Sequence, residues 1–387
     1  MRVLHCCLAA FYIDNYTYQE NIMPLMHRQQ GHEVMIVAST ETYVTPGKLC
    51  YLPAGTYATA EGIPITRLPY FAGSASFLER KLRIYSGLGG VLDEFRPEVL
   101  FLHDCQFLSI RTVVRYLRQH PGIRVFVDGH TDFINSARGF ISKYVLHMGI
   151  YRWCAQTIAP YTERFYGTLP VRSDFFHDVY GISRDKIELL PMGVDLTDID
   201  LNARDDYKAD TRRRLGIEED TFVIVTGGKL DRRKGIHLLM KAISGMENRK
   251  VKLLVFGTPT KEMEETFAIF ASSPAIISTG WVAGAEISHY LLAGDLAFFP
   301  GTHSVLWEQA VGLGLPTVFK RWAGIDHIDL GGNCQFIDEV TVTSLQEVIK
   351  ELLNNKNTVA EMARVAETMG PAIFSYAEIA ERAIAAR

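Results

Sequence analysis

The sequence predicts an α/β protein of two Rossmann-like, doubly wound domains facing each other across a cleft. Three observations carry that expectation. Short apolar runs alternate with helix-period segments almost throughout, the pattern of parallel sheets built from strand-helix-strand units. A polar, charged stretch at 198–214, DIDLNARDDYKADTRRR, separates two such series. The chain has 387 residues, 48% of them hydrophobic and 22% charged, which is enough for two or three domains.

In the first series, Val3 to Ala10 reads as a buried strand. Ile22, Leu25 and Met26 then share one helical face, Gly31 ends that helix, and Glu33 to Ala38 supplies the next strand. Runs at Val99 to Leu102, Val125 to Val127 and Thr157 to Ala159 extend the sheet, and this half closes at KIELLPMGVD, 186–195. The second series opens with a strand at Phe222 to Thr226. Ile236, Leu239, Met240 and Ile243 follow at helical spacing, then a strand at Val251 to Phe256. Further strands are expected at Ala275 to Ser278, Leu296 to Phe299 and Thr317 to Phe319. In such sheets ligands sit beyond the carboxyl ends of the strands, so two facing domains enclose a cleft there.

Charge and cysteine usage narrow the function classes. Forty basic against forty-four acidic residues give a net charge of −4, so there is no electrostatic case for nucleic acid; an anionic ligand needs a local cluster. Cys6, Cys7, Cys50, Cys105, Cys154 and Cys334 form no CxxC pair, which fits reduced thiols in a cytoplasmic protein. The apolar start VLHCCLAAFYI leads straight into DNYTYQEN and reads as a strand rather than a signal peptide. No run reaches the ~20 apolar residues of a membrane span. Two basic amphipathic segments, 77–90 and 111–120, read as helices packed on the sheet; their alternative use is peripheral contact with the inner face of an anionic membrane.

The most informative segment is GGKLDRRKGIHLL, 227–239. Gly228 lets a phosphate approach the backbone at a strand end, Lys229, Arg233 and Lys234 supply positive charge, and a helix starts near Gly235. This makes a pyrophosphate clamp; the plain alternative is a solvated basic turn. It is not a P-loop, since GxxxxGK[ST] is absent. In FFPGTHSVLWEQAVGLGLPTVF, 298–319, a strand ends at Pro300 and a loop holds His303 and Ser304. Ser304 is placed to cap a helix carrying Glu308, whose carboxylate suits a ribose diol.

On these segments the chain resembles the nucleotide-sugar glycosyltransferases of the GT-B fold, most closely family 4, whose members retain the anomeric configuration. GHEVMIVAS, RPEVLFLHD and KIELLPMGVD are similar to its N-terminal strands and linker entry, GGKLDRRKG to its diphosphate motif GRLxxxKG, and GWVAGAEISHYLLAGDLAFFP to its approach to the donor loop. The resemblance implies donor diphosphate contacts from Lys229, which stands where the family usually has Arg, and from Lys234, with His303 and Ser304 in the loop. It implies a ribose contact from Glu308, and a nucleotide pocket with Gly257, Trp281 and Val282. The first glutamate of the family's pair is missing: Pro300 lies eight residues before Glu308, in a shorter loop.

His130 in VFVDGHTDF is similar to the family histidine that meets the transferred sugar, so it is the catalytic candidate. Asp128, Asp132, His103 and Asp104 lie beside strand ends and read first as turn-makers and caps, acceptor binding being the alternative. DNYTYQEN replaces the family's glycine-rich turn; Asn15, Tyr16, Tyr18 and Gln19 are acceptor candidates, a capped helix start being the alternative. Asp198-Ile199-Asp200 lies in the charged connector and reads as solvated, so no metal or other cofactor is expected. PAIFSYAEIAERAIAAR resembles the family's returning terminal helix, which gives domains of 1–195 plus 372–387 and of 196–371. The implied function is retaining transfer of a hexosyl unit from a nucleoside-diphosphate sugar to a glycan, lipid-linked or small-molecule acceptor. The rivals are a nucleotide-sugar epimerase of the same architecture and a non-catalytic nucleotide-sugar-binding protein.

Overall fold

Two sheets organise the chain, each in its own unit: Met1–Pro191 with Ile379–Arg387, and Met192–Glu378. The computed structural model describes residues 1–45, 48–71, 77–133, 136–137, 139–247 and 250–385. The unit breaks fall after 191 and 378 rather than after 195 and 371. Val194 N–H donates to Phe374 O and Tyr376 N–H to Val194 O, which clips the linker onto the end of the helix Lys356–Phe374.

The strands of the first unit are β1 (Arg2–Cys7), β2 (Glu33–Ser39), β3 (Glu41–Thr45), β4 (Lys48–Tyr51), β5 (Gly55–Ala58), β6 (Pro64–Leu68), β7 (Val99–His103), β8 (Arg124–Gly129), β9 (Arg164–Gly167) and β10 (Ile187–Leu189). Eight of them form one sheet in the order β10-β9-β8-β7-β1-β2-β6-β5, while β3 and β4 make a separate hairpin. All pairings in the large sheet are parallel except β5 with β6. Every residue of β7 is buried, as expected of a central strand covered on both faces.

The strand expected at Thr157 to Ala159 is not one. That run belongs to the helix Arg152–Ile158, whose Cys154, Ala155 and Ile158 enter the core. A short apolar run has no period long enough to separate strand from helix. The first strand also stops at Cys7, short of Ala10. The helix Ile110–Gln119 spends its apolar residues Val113, Val114 and Leu117 on the same core.

The second unit holds β11 (Phe222–Gly227), β12 (Val251–Phe256), β13 (Ile276–Gly280), β14 (Leu296–Phe299), β15 (Thr317–Lys320) and β16 (Cys334–Ile337). They form an all-parallel sheet in the order β13-β12-β11-β14-β15-β16. The order reverses between β11 and β14, and a crevice opens at such a reversal beyond the carboxyl ends. The edge strand β16 went unanticipated because it is only half-buried and carries no apolar run. Ile224, Leu253, Leu296 and Phe298 pack on one side against Leu239, Met240, Ile243 and Ile349 from the covering helices.

Glycines bring the strand ends close together. Gly228 and Gly257 take φ of 107° and 119°, and a Cβ on Gly257 would stand 1.9 Å from Gly228 O. The Gly257→Ala variant combines this clash with a left-handed backbone, so it is expected to lose about 3 kcal/mol or more of stability. Chemical denaturation of both proteins measures the difference.

Candidate functional site

The loops after β11 and β14 in the second unit are welded together. After Gly228 the chain makes a short turn in which the Asp231 carboxylate accepts from Arg233 N–H at 3.0 Å and from the Arg233 guanidinium at 2.7 Å. Gly235, at φ 65°, then admits the helix Ile236–Ser244. Lys234 turns inward, and its Nζ donates to Thr302 O at 2.8 Å and His303 O at 2.7 Å. Thr302 N–H donates to Arg233 O, and a Cβ on Gly301 would lie 2.3 Å from that same oxygen. Burial pushes the Lys234 ammonium down to about 8, partly opposed by Asp231 and Glu308. Lys229, in contrast, is exposed.

Glu308 projects from the helix Leu306–Gly312 and is fully buried. Its Oε1 accepts from His303 Nε2 and His327 Nε2, each at 2.8 Å, while Oε2 is buried without a partner among the described residues. Burial alone would raise this carboxyl, but the two imidazoles outweigh it and hold Glu308 at about 2. Trp322 Nε1 donates to Gly301 O, so the loop after β15 also ties into the assembly. Gly257 lies beside Gly228; Trp281, strongly exposed, and Val282, half-buried, follow β13 at the same end of the sheet.

In the first unit, β7 and β8 end side by side, with His103 paired to Asp128 in register. His103 Nδ1 lies 2.8 Å from Asp128 Oδ2, and His130 Nε2 lies 3.5 Å from the same oxygen and 4.0 Å from Glu20. Burial would lower His130, yet Asp128 and Glu20 override it and raise the imidazole to about 9. Asp104, at φ 63°, accepts from His130 N–H, and burial lifts its carboxyl to about 6. Asp132 is paired with Arg172 at 3.1 Å. Asn15 and Tyr16 line a cavity of about 290 Å³ with Tyr12, Asp14 and Tyr57.

Two trios, His103–Asp128–His130 and His303–Glu308–His327, bring nitrogen and oxygen donors close enough for a cation. The 2.8 Å separations within both are hydrogen-bond lengths between imidazole and carboxylate.

The comparisons with known proteins agree with this architecture. Residues 17–193 match the glycosyl transferase 4-like domain and residues 221–355 the glycosyl transferases group 1, so the two models together span most of the chain. The chain belongs to the GT-B glycosyltransferases. An uncharacterized glycosyltransferase of Methanocaldococcus jannaschii is 21% identical over 78% of this chain and 75% of its own length. Mannosylfructose-phosphate synthase of Agrobacterium fabrum is 23% identical over 61% of this chain, which spans about half of that relative (53%). Among solved structures, Anabaena HepE in complex with UDP shares the fold with a TM-score of 0.67 at 13% identity, covering 99% of this chain and 98% of that one. A glycosyltransferase from Rickettsia africae does so with 0.69 at 10% identity, covering 98% and 96%.

The structure of this glycosyltransferase revises one residue-level expectation and places several others. Ser304 makes no side-chain cap: the residue before the helix is Val305, and it caps with no side chain. Arg233 pairs with Asp231 at 2.7 Å while 62% of its side chain stays exposed. Gln19 is buried, its amide 3.4 Å from Asp128 beside the histidine cluster, while Asn15, Tyr16 and Tyr18 stay exposed. Three residues went unseen. His327 lies nineteen positions from Glu308 in a loop with no motif, and His5 and His27 sit in a strand and a helix that read as ordinary core.

Two predictions follow from these contacts. Lys234→Met leaves two loop carbonyls without their donor and is expected to cost about 1–3 kcal/mol, whereas Lys229→Ala changes stability by no more than about 0.5 kcal/mol; thermal unfolding separates them. Burial lowers His27 from 6.5 to about 4, so the neutral ring is favoured by the fold. The stability it contributes is present above pH 6.5 and is lost as pH falls through 4, on the order of 3 kcal/mol. Denaturation midpoints measured across that window are expected to fall as the pH drops from 6.5 to 4.

Proposed function

We propose that this glycosyltransferase moves a hexosyl unit from a nucleoside-diphosphate sugar held by its second unit, with retention of anomeric configuration. The observation that carries the reading is the weld of Lys234 to the carbonyls of Thr302 and His303, which fixes the basic turn and the Glu308 loop as one body at the reversal between β11 and β14. A diphosphate there meets Lys229 and backbone N–H groups at no reorganisation cost, and the partnerless Glu308 Oε2 accepts a ribose hydroxyl. HepE, whose fold matches, is known in complex with UDP and with UDP-glucose.

In this proposal His130, positively charged beside Asp128 and Glu20, orients the transferred sugar. The departing phosphate acts as the base for front-face attack, and lysine charge takes the place of a metal. The cavity of Asn15 and Tyr16 is the acceptor candidate.

Thermal shift with UDP, GDP and ADP, followed by titration of the best binder, tests the reading. A ligand at a hundred times its dissociation constant adds about 2.7 kcal/mol of stability. Lys229→Ala is expected to weaken that nucleotide roughly tenfold, about 1.4 kcal/mol, with an unchanged melting temperature. Unaltered affinity, or no binding of any of the three, would overturn the donor site. Turnover of donor sugar without acceptor would instead identify an epimerase, and tight binding without transfer to any acceptor would identify a binding protein.

A further inference from the structure

A row of buried imidazoles crosses the first unit from the terminal helix Tyr376–Ile384 to Asp128. His27 Nε2 lies 2.8 Å from Ala380 O, His5 Nε2 lies 2.9 Å from His27 Nδ1, His5 Nδ1 lies 3.0 Å from His103 Nε2, and His103 Nδ1 lies 2.8 Å from Asp128 Oδ2. All three side chains are fully buried. Both ends of the row are oxygen acceptors, a carbonyl and a carboxylate. Each of the four contacts consumes one proton, but three neutral imidazoles bring only three N–H groups. A neutral row would therefore leave two lone pairs, or a nitrogen and a carboxylate, facing each other within 3.0 Å in the protein interior.

We propose that the His27–His5–His103 row holds one excess proton, which makes His103 an imidazolium fixed on Asp128 and makes all three histidines positioning residues for His130. Placing the proton on Asp128 instead is disfavoured by its surroundings. Oδ1 accepts from Asp104 N–H at 3.2 Å, and Oδ2 lies 3.4 Å from the Gln19 amide and 3.5 Å from His130. Four donors around one carboxyl stabilise the anion. Although burial raises Asp128, His103 and His130 outweigh it and keep the carboxyl well below its usual range. Of the three rings only His103 touches the carboxylate, and with His5 and His27 each donating from Nε2 along the row, both His103 nitrogens are donors.

The charged and titratable groups facing this assembly, among the described residues, are Asp128 and His130 from β8 and its loop, Asp104 and Cys105 after β7, Cys7 at the end of β1, Glu20 from the helix Gln19–Gln29, Arg172 from the helix Pro170–Asp178, and His32 beyond the helix Gln19–Gln29. The tautomers are fixed in turn: His5 and His27 each carry hydrogen on Nε2 and accept at Nδ1. The consequence for catalysis rests on the His130 assignment above; the proton count does not.

Removing His27 changes the arithmetic at a distance. In His27→Phe, His5 is free to donate from Nδ1 to His103 Nε2 while His103 Nδ1 donates to Asp128, so two neutral rings satisfy two contacts and no extra proton is needed. Nitrogen-15 NMR of histidine-labelled full-length protein at about pH 8, where an ordinary histidine is neutral, reads both states. The expected result within the row is one ring with both nitrogens protonated, told apart from the charged His130 by its loss in His103→Asn, and two rings protonated only at Nε2. In His27→Phe the doubly protonated ring is expected to become singly protonated, although His27 does not touch His103.

Three neutral rings in the unaltered protein would overturn the proposal, and so would a doubly protonated His103 that persists in His27→Phe. Should that variant not fold, the spectrum of the unaltered protein still decides the count. The pH profile of kcat/KM adds the positioning readout. Neutralising His103 leaves more of the Asp128 charge acting on His130, so the basic limb is expected to move up by about one pH unit. An unmoved limb with the NMR change in place would reject the His130 assignment and leave the proton count standing.

Discussion

Parallel strand direction is the constraint on which both sites depend. When neighbouring strands run the same way, all of their carboxyl ends reach one edge, and the loops that follow are forced together however far apart they lie in sequence. His103 and Asp128 meet because β7 and β8 are in register. Lys234 and His303 meet because β11 and β14 are neighbours at the reversal of strand order. An antiparallel pairing at either place would send one partner to the opposite edge and dissolve the contact.

That geometry explains which parts of the site were legible in the sequence. Residues at or just past the carboxyl end of a strand are placed by it, so His103, Asp104 and Asp128 could be located from the apolar runs, whereas the roles expected of His130 and Lys229 came from the family resemblance. What periodicity does not report is which way a polar side chain points within an element. Gln19 opens the helix Gln19–Gln29 beside exposed tyrosines, yet it turns beneath the sheet edge to Asp128. His5 lies in a strand otherwise rich in valine, leucine and cysteine, and its polarity is satisfied only by two other histidines, His27 and His103, that are distant in sequence. The misplaced strand at Thr157 has the same origin: a run of three residues carries no period, and the choice between helix and strand was made by the packing of Cys154 and Ile158.

Both sites also balance their charge internally. Asp128 lies between His103 and His130, and Glu308 takes two imidazoles on a single oxygen. A buried carboxylate without such partners would neutralise itself by taking up a proton. Here the partners hold it ionised, at the cost of an arrangement that tolerates little substitution. The glycosyltransferase therefore presents fixed charges rather than ones recruited on ligand binding, and preorganised charge is the kind that stabilises a developing leaving group.

The departure from the family pattern at Pro300 has a physical counterpart in the same loop. Where the family carries its first glutamate, this chain has a shorter connection seated so closely on the basic turn that Gly301 could not bear a Cβ without meeting Arg233 O. Lys234 and Trp322 fix the loop through the carbonyls of Gly301, Thr302 and His303, which turns the His303 side chain onto Glu308. The shortened loop is thus a rigid one, tied by backbone carbonyls on one side and by two imidazoles to the buried Glu308 carboxylate on the other.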